Sequence, residues 1–164
     1  LRPAISVKIA SWEAKRSNMQ SVCLNCHSPQ WVENFYSQYD NLVTHYNDKF
    51  AKPAKEIMDR LLAAKKITKT PFDDKIEWTY YELWHHEGRR ARMGASMMGP
   101  DYTQWHGMYE VAKAFYTKFL PEADELSPGI AKDILASDFH KWKKGLSKDE
   151  VEKQLEFYKE RYGQ

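Results

Sequence analysis

The residues most able to do chemistry form one short run, Cys23-Leu24-Asn25-Cys26-His27. Two thiols three positions apart followed directly by a histidine make the C-x-x-C-H pattern of c-type haem attachment. Each thiol can form a thioether to one vinyl group of a single porphyrin. The histidine then stands below the iron as its proximal ligand. The chain has 2 cysteines, so one haem uses both. A thioredoxin-type dithiol would lie at a strand-to-helix junction and needs no histidine. A structural zinc site needs four ligands, and no second cysteine pair exists.

A second set of candidates lies between residues 84 and 106. A six-coordinate haem needs another axial ligand, usually histidine. His85, His86 and His106 are available, with His86 ranked first and His106 second. Neighbours on a helix point about 100° apart, so His85 and His86 cannot serve one iron from one side. Arg89, Arg90 and Arg92 are either a solvated helix face or partners for haem propionates, which suit a guanidinium fork. Met93, Met97 and Met98 could offer a thioether, although gap-filling is the commoner use of methionine. The Gly94–Gly107 stretch looks built to present a side chain outward. His45 and His140 sit among solvated residues and read as surface.

These groups must be positioned by helices. Ile5, Ile9 and Trp12 recur at helical spacing toward Val22, after an extended Arg2-Pro3. Ser28-Pro29 breaks the chain. A long helix is expected over about residues 30–66, with its stripe running from Val32 through Phe35, Tyr46 and Phe50 to Leu61, and with Pro53 kinking or dividing it. Asp73 and Asp74 suit a helix start before Ile76–Arg92. Asp101 could cap a helix through Thr103 to about Phe119, with Trp105 and Phe115 on its apolar side. Pro121, Pro128 and Gly129 read as a loop, and residues 130–142 as a shorter helix ended by Gly145. Ser147 and Glu150 make a capping box for a last helix to Tyr162. No alternating run suggests a sheet. The expectation is an all-α chain of long helices in one segment. Residues 1–29 carry the haem, 30–120 form a long-helix bundle and 121–164 hold the terminal helices.

At 164 residues with net charge +2, the chain has room for a core and no bulk electrostatic case for nucleic acid. No run of about 18 apolar residues suggests a membrane span. No signal peptide is visible, yet haem c is attached outside the cytoplasm. With Leu1 rather than Met at the start, a processed chain or a piece of a longer one is expected.

The chain resembles the C-terminal third of the octahaem hydroxylamine oxidoreductase and hydrazine dehydrogenase family. The matching stretches are Trp12–Arg16 leading to Val22–His27, Tyr46–Pro53, and above all Glu82-Leu83-Trp84-His85-His86-Glu87-Gly88-Arg89-Arg90-Ala91-Arg92, continuing into Met97–Gly107. The likeness covers about residues 12–120. It implies a non-cytoplasmic, periplasmic homotrimer with eight haems c per subunit. Electrons taken from hydroxylamine, or alternatively hydrazine, would pass along the haems to an accepting cytochrome. It also implies a modified catalytic haem bonded to a tyrosine of a neighbouring subunit. The matching tyrosine is Tyr102, with Tyr109 as the fallback. Only one of eight haem motifs is present, so this segment would not act alone. Two further readings are a non-catalytic electron-transfer module and a nitrite-handling relative, the latter disfavoured by Tyr102.

Overall fold

The computed structural model describes residues 10–163. Helix dominates, and no strand forms among the described residues, which establishes the all-α class. Helix α1 spans Trp12–Cys23, α2 Pro29–Tyr46 and α3 Lys52–Ala63. Then follow α4 (Lys75–Tyr81), α5 (Gly88–Ser96), α6 (Pro100–Thr103), α7 (Glu110–Ala114), α8 (Leu120–Leu126) and α9 (Lys148–Tyr162). The chain divides into two compact units between Thr44 and His45, inside α2. The expected features at Arg2-Pro3, Ile5 and Ile9 lie outside the described residues.

Helix starts follow local chemistry. Ser11 caps α1 by accepting from the Ala14 N–H at 3.2 Å. At α4 the Asp74 N–H donates to the Glu77 carboxylate at 3.2 Å. At α9 the Ser147 N–H donates to Glu150 at 2.9 Å, while the Glu150 N–H reaches the Ser147 hydroxyl, the reciprocal box read from the sequence. The Ser147 N–H and then its hydroxyl, both donating to the Glu150 carboxylate, hold it below its usual range.

The prolines expected to break helices do not break them. Helical bonding runs from α2 through a wide π turn, Asn47–Ala51, into α3, which contains Pro53. It likewise runs from α7 through the π turn Phe115–Phe119 into α8, which contains Pro121. In both cases the residue before the proline bonds five residues back, Lys52 to Asn47 and Leu120 to Phe115. A proline clashes with the carbonyl four residues earlier and offers it no N–H. The widened turn opens that spot, so Pro121 is helical rather than part of a loop. Two more π turns, Glu82–Glu87 and Gln104–Tyr109, join α4 to α5 and α6 to α7. Residues 130–142, expected to be helical, instead make turns and two short 3-10 segments, Ile134–Ala136 and Lys141–Lys144. Most of their backbone bonds close over three residues, as in His140 N–H to Ser137 and Lys143 N–H to His140.

The core of the second unit gathers Tyr46, Phe50, Ile57 and Leu61 against Ile76, Leu83, Val111, Phe115 and Phe119. Phe50 meets Phe115 edge-on at 5.4 Å, and Phe115 stacks on Phe119 at 6.0 Å. Each fully buried phenylalanine contributes about 1.5–3 kcal/mol relative to exposure. Trp105, expected on the apolar side, is instead exposed. His140 is also reversed from the surface reading, with only 1% of it exposed. It stacks on Phe115 at 5.6 Å and faces the Tyr116 hydroxyl through Nδ1 at 2.7 Å. The tight turns after Ser137 fold it inward, a geometry that helical spacing does not describe.

Candidate functional site

Cys23 closes α1. The next residues keep turning, with Cys26 N–H at 3.1 Å and His27 N–H at 2.9 Å from the Cys23 carbonyl. The Asn25 side chain donates to the Ser21 and Val22 carbonyls, satisfying acceptors that a helix end leaves open. Ser28 then caps α2 from outside by accepting from the Trp31 N–H. Both thiols are free, Cys26 on the surface and Cys23 half-buried. His27 is exposed and lies flat on the Trp31 ring, with centroids 3.9 Å apart and planes 12° apart. One imidazole face is thus covered.

Helix α1 buries no residue of its own. Trp12, Met19, Val22 and Leu24 are all exposed. Among the described residues of this unit, one side chain makes the hydrogen bonds that tie α1 to α2. The Arg16 guanidinium donates twice to the Asp40 carboxylate, at 2.7 and 2.8 Å, and lies over the rings of Trp12 and Tyr36. Desolvation, followed by the nearby Cys23 thiol, raises the Tyr36 hydroxyl above its ordinary value, although Arg16 opposes this. The donor set and the uncovered apolar residues around it fit a covalently held haem: two free thiols, an oriented imidazole and nearby apolar surface.

The other candidates lie in the second unit, and the structure separates them. His85 stacks on Tyr81 at 4.5 Å and meets Trp84 edge-on at 5.2 Å. His86 points elsewhere. Both its ring nitrogens face Arg90 Nη2, at 3.0 and 3.1 Å, and Nδ1 also lies 3.2 Å from Glu87. His106 has a simpler setting, with Nδ1 at 2.7 Å from the Asp101 carboxylate and an exposed ring. Asp101 therefore engages His106 rather than capping a helix as expected.

The three arginines also part company. Arg92 donates through Nε to the Gly88 carbonyl at 3.0 Å and covers the Tyr46 ring at 5.0 Å. Arg90 sits between Glu87, at 3.8 Å, and Glu110, at 3.5 Å. Arg89 is exposed and has no ion-pair or hydrogen-bond partner among the described residues.

Tyr102 lines a cavity of about 560 Å³ with His86, Arg89, Arg90, Met93 and Met97. Tyr109 lines a different one, of about 400 Å³, with His45, Lys49 and Trp105. The Tyr102 backbone is set by two glycines whose role the sequence reading missed. A Cβ on Gly94 would lie 2.6 Å from the Tyr102 carbonyl carbon, and one on Gly107 would lie 2.3 Å from its oxygen. Gly94 is thus buried inside α5, ahead of the turn that follows it. The turn falls at Met98, whose φ is +54°. A third contact packs Tyr46 onto Gly88, where a Cβ would meet the phenol oxygen at 2.2 Å. The available signal was the pairing of a small residue in α5 with another in the following helical stretch.

Asp73, Asp74 and Glu77 each bring a carboxylate oxygen to within 4.8 Å of the others. Their oxygens already serve Thr68 and the α4 start. Among the described residues, no helix is long and apolar enough to cross a membrane. Compared with protein-family models, curated proteins and solved structures, the chain matches none.

Proposed function

We propose that this chain is a haem c-bearing portion of a larger multihaem oxidoreductase of the hydroxylamine oxidoreductase kind. The observation that carries the reading is the state of the C-x-x-C-H run: two free thiols and an exposed, ring-oriented histidine at the end of a helix that buries nothing. A soluble fold rarely leaves Trp12, Met19, Val22 and Leu24 together in water without a cover. A porphyrin with its neighbouring protein is a cover of the right chemistry.

Cys23 and Cys26 are the attachment points. His27 is the proximal ligand, and Trp31 fixes the plane of its ring. The haem supplies one-electron iron chemistry, which the protein only orients and tunes. Of the distal candidates, His106 is the better disposed. Its Nδ1–H donates to the Asp101 carboxylate, which fixes the tautomer that leaves the Nε2 lone pair free for iron. His86 is engaged at both nitrogens by Arg90. Tyr102 is the residue assigned to the link with a neighbouring subunit's catalytic haem, in a homotrimer. Its half-exposed ring on a clamped backbone suits a bond made outward. The substrate is a small nitrogen compound, hydroxylamine first and hydrazine second. The acceptor is a cytochrome, in a periplasmic or equivalent compartment.

Two measurements on the native protein test this. Intact mass is expected to show haem on the peptide holding Cys23 and Cys26. The reduced-minus-oxidised spectrum is expected to show a displaced band beside the ordinary c-type bands. Ordinary bands alone would leave a non-catalytic electron-transfer cytochrome. Colourless protein with both thiols open to alkylation would end the reading.

A further inference from the structure

We propose that Arg89 is the carboxylate-binding cation of the Tyr102 cavity, and that this cavity takes a flat, apolar ligand carrying ionised carboxylates. Where the ligand is named a propionate-bearing tetrapyrrole, the inference rests on the haem reading above.

Two arginines line the cavity, Arg89 and Arg90, and no acidic residue does. Arg90 is answered from outside the lining, by Glu87 and Glu110. Arg92 does not line the cavity and is spent on the Gly88 carbonyl and the Tyr46 ring. The nearest acidic neighbour of Tyr102 in sequence, Asp101, is held by His106. Arg89 is therefore the one lining cation with nothing among the described residues to neutralise it. A planar fork of N–H donors matches a carboxylate through two parallel bonds.

Shape gives the rest of the ligand. Met93, Met97 and the Tyr102 ring offer a soft, polarizable wall, and Gly94 and Gly99 remove side-chain bulk from it. A cavity near 560 Å³ falls in the range that holds a cofactor-sized molecule. Methionine contacts adapt to a flat ring face without demanding a hydrogen bond. One free cation beside such a wall selects an apolar plate with an acidic edge. It disfavours a neutral plate and any small hydrophilic anion that needs several donors.

The test uses the native assembly and the variants Arg89→Gln and Arg89→Lys. Peptide mapping measures the fraction of Tyr102 linked to haem, and a redox titration measures the midpoint of the displaced band. Arg89→Gln is expected to reduce the linked fraction and to shift the midpoint lower, since removing a nearby positive charge favours the oxidised state. Arg89→Lys is expected to recover the midpoint while recovering the linked fraction only in part, because charge returns without the fork. An unchanged fraction and midpoint in Arg89→Gln, with Tyr102 linked, overturns the proposal. If Tyr102 proves unmodified in the native protein, the haem reading fails there and the cavity is open to a probe. Protoporphyrin IX is then expected to bind about tenfold tighter than its dimethyl ester, a preference lost in Arg89→Gln. Equal binding of acid and ester overturns the assignment of Arg89.

Discussion

The thiols and the tyrosine stand on opposite kinds of ground. Around Cys23 the first unit has little interior. Helix α1 buries nothing, and its tie to α2 is one arginine spread over two rings and a carboxylate. Around Tyr102 the backbone is wedged by two glycine contacts into a unit with a continuous aromatic core. The difference teaches how each site must work. A helix with no buried face has little packing of its own to hold it, because helices in proteins are stabilised mostly by burying one face. Its order must come from what covers it. The tyrosine, in contrast, sits on a frame that exists before any ligand arrives.

The largest effect should therefore come from removing the cover. In the Cys23→Ala/Cys26→Ala double variant, hydrogen exchange of the Trp12–Cys23 amides is expected to approach unprotected rates. Amides around Phe50 and Phe115 should keep their protection. Equal loss in both places would mean that the comparison is wrong and the two units share one stability.

The next effect tests the frame. Alanine gains about 1 kcal/mol over glycine in a helix. At Gly107 that gain is outweighed, because the new Cβ meets the Tyr102 oxygen and the Ala91 Cα at 2.3 and 2.8 Å. Overpacking costs about 1–3 kcal/mol where side chains can shift, and backbone shifts less readily. Gly107→Ala is expected to destabilise by about 2 kcal/mol in chemical denaturation and to reduce the link proposed for Tyr102. Gly99→Ala is the control, since its nearest contact is an ordinary 3.7 Å. It should be close to neutral.

Those glycines also mark the boundary of what could be read from residue types. The helical class, the Ser147–Glu150 capping box and the apolar positions Val32, Tyr46, Phe50 and Leu61 follow from spacing alone. Spacing says nothing about π turns. Pro53 and Pro121 signal breaks because a proline conflicts with a regular helix. One extra residue per turn resolves the conflict without ending the helix. The thiols were legible because C-x-x-C-H is a fixed, contiguous pattern that needs no tertiary information to read. The partition of Arg89, Arg90 and Arg92 was not, because it depends on Glu110 and Tyr46, which are remote in sequence. The Asp101–His106 pair looked like a cap and a ligand, and only the turn between them brings their atoms to 2.7 Å.

A smaller effect is expected from acid, and only in the packed unit. Burial first, then Lys49 and Lys143, lowers the His140 imidazole below its ordinary value, and Tyr116 meets its Nδ1 with a hydroxyl that burial holds protonated. The unfolded chain then takes up a proton that the folded one refuses. Stability is full above the free imidazole value of about 6.5 and is lost as the pH falls below it. His45 is shifted the same way, by burial and then Lys49, with Asp48 opposing. The melting temperature should drop between pH 7.5 and 5.5. His140→Asn keeps an acceptor for Tyr116 and should flatten much of that slope, leaving the part due to His45. An unchanged slope would show that His140 is not the group responsible.

The smallest effect sharpens the comparison from the other side. Arg16 and Asp40 make a well-formed two-bond pair, but their side chains are 26% and 50% exposed. Exposed pairs contribute about 0.2–1 kcal/mol, and salt screens them. Arg16→Lys keeps the charge and loses both the fork and most of the stacking over Trp12 and Tyr36. In the haem-loaded protein it should speed exchange of the Trp12–Cys23 amides by less than about fivefold, in line with that range. If exchange instead rose as far as in the double cysteine variant, the tether rather than the cofactor would be what orders α1. The bare helix would then be no sign of a missing cover.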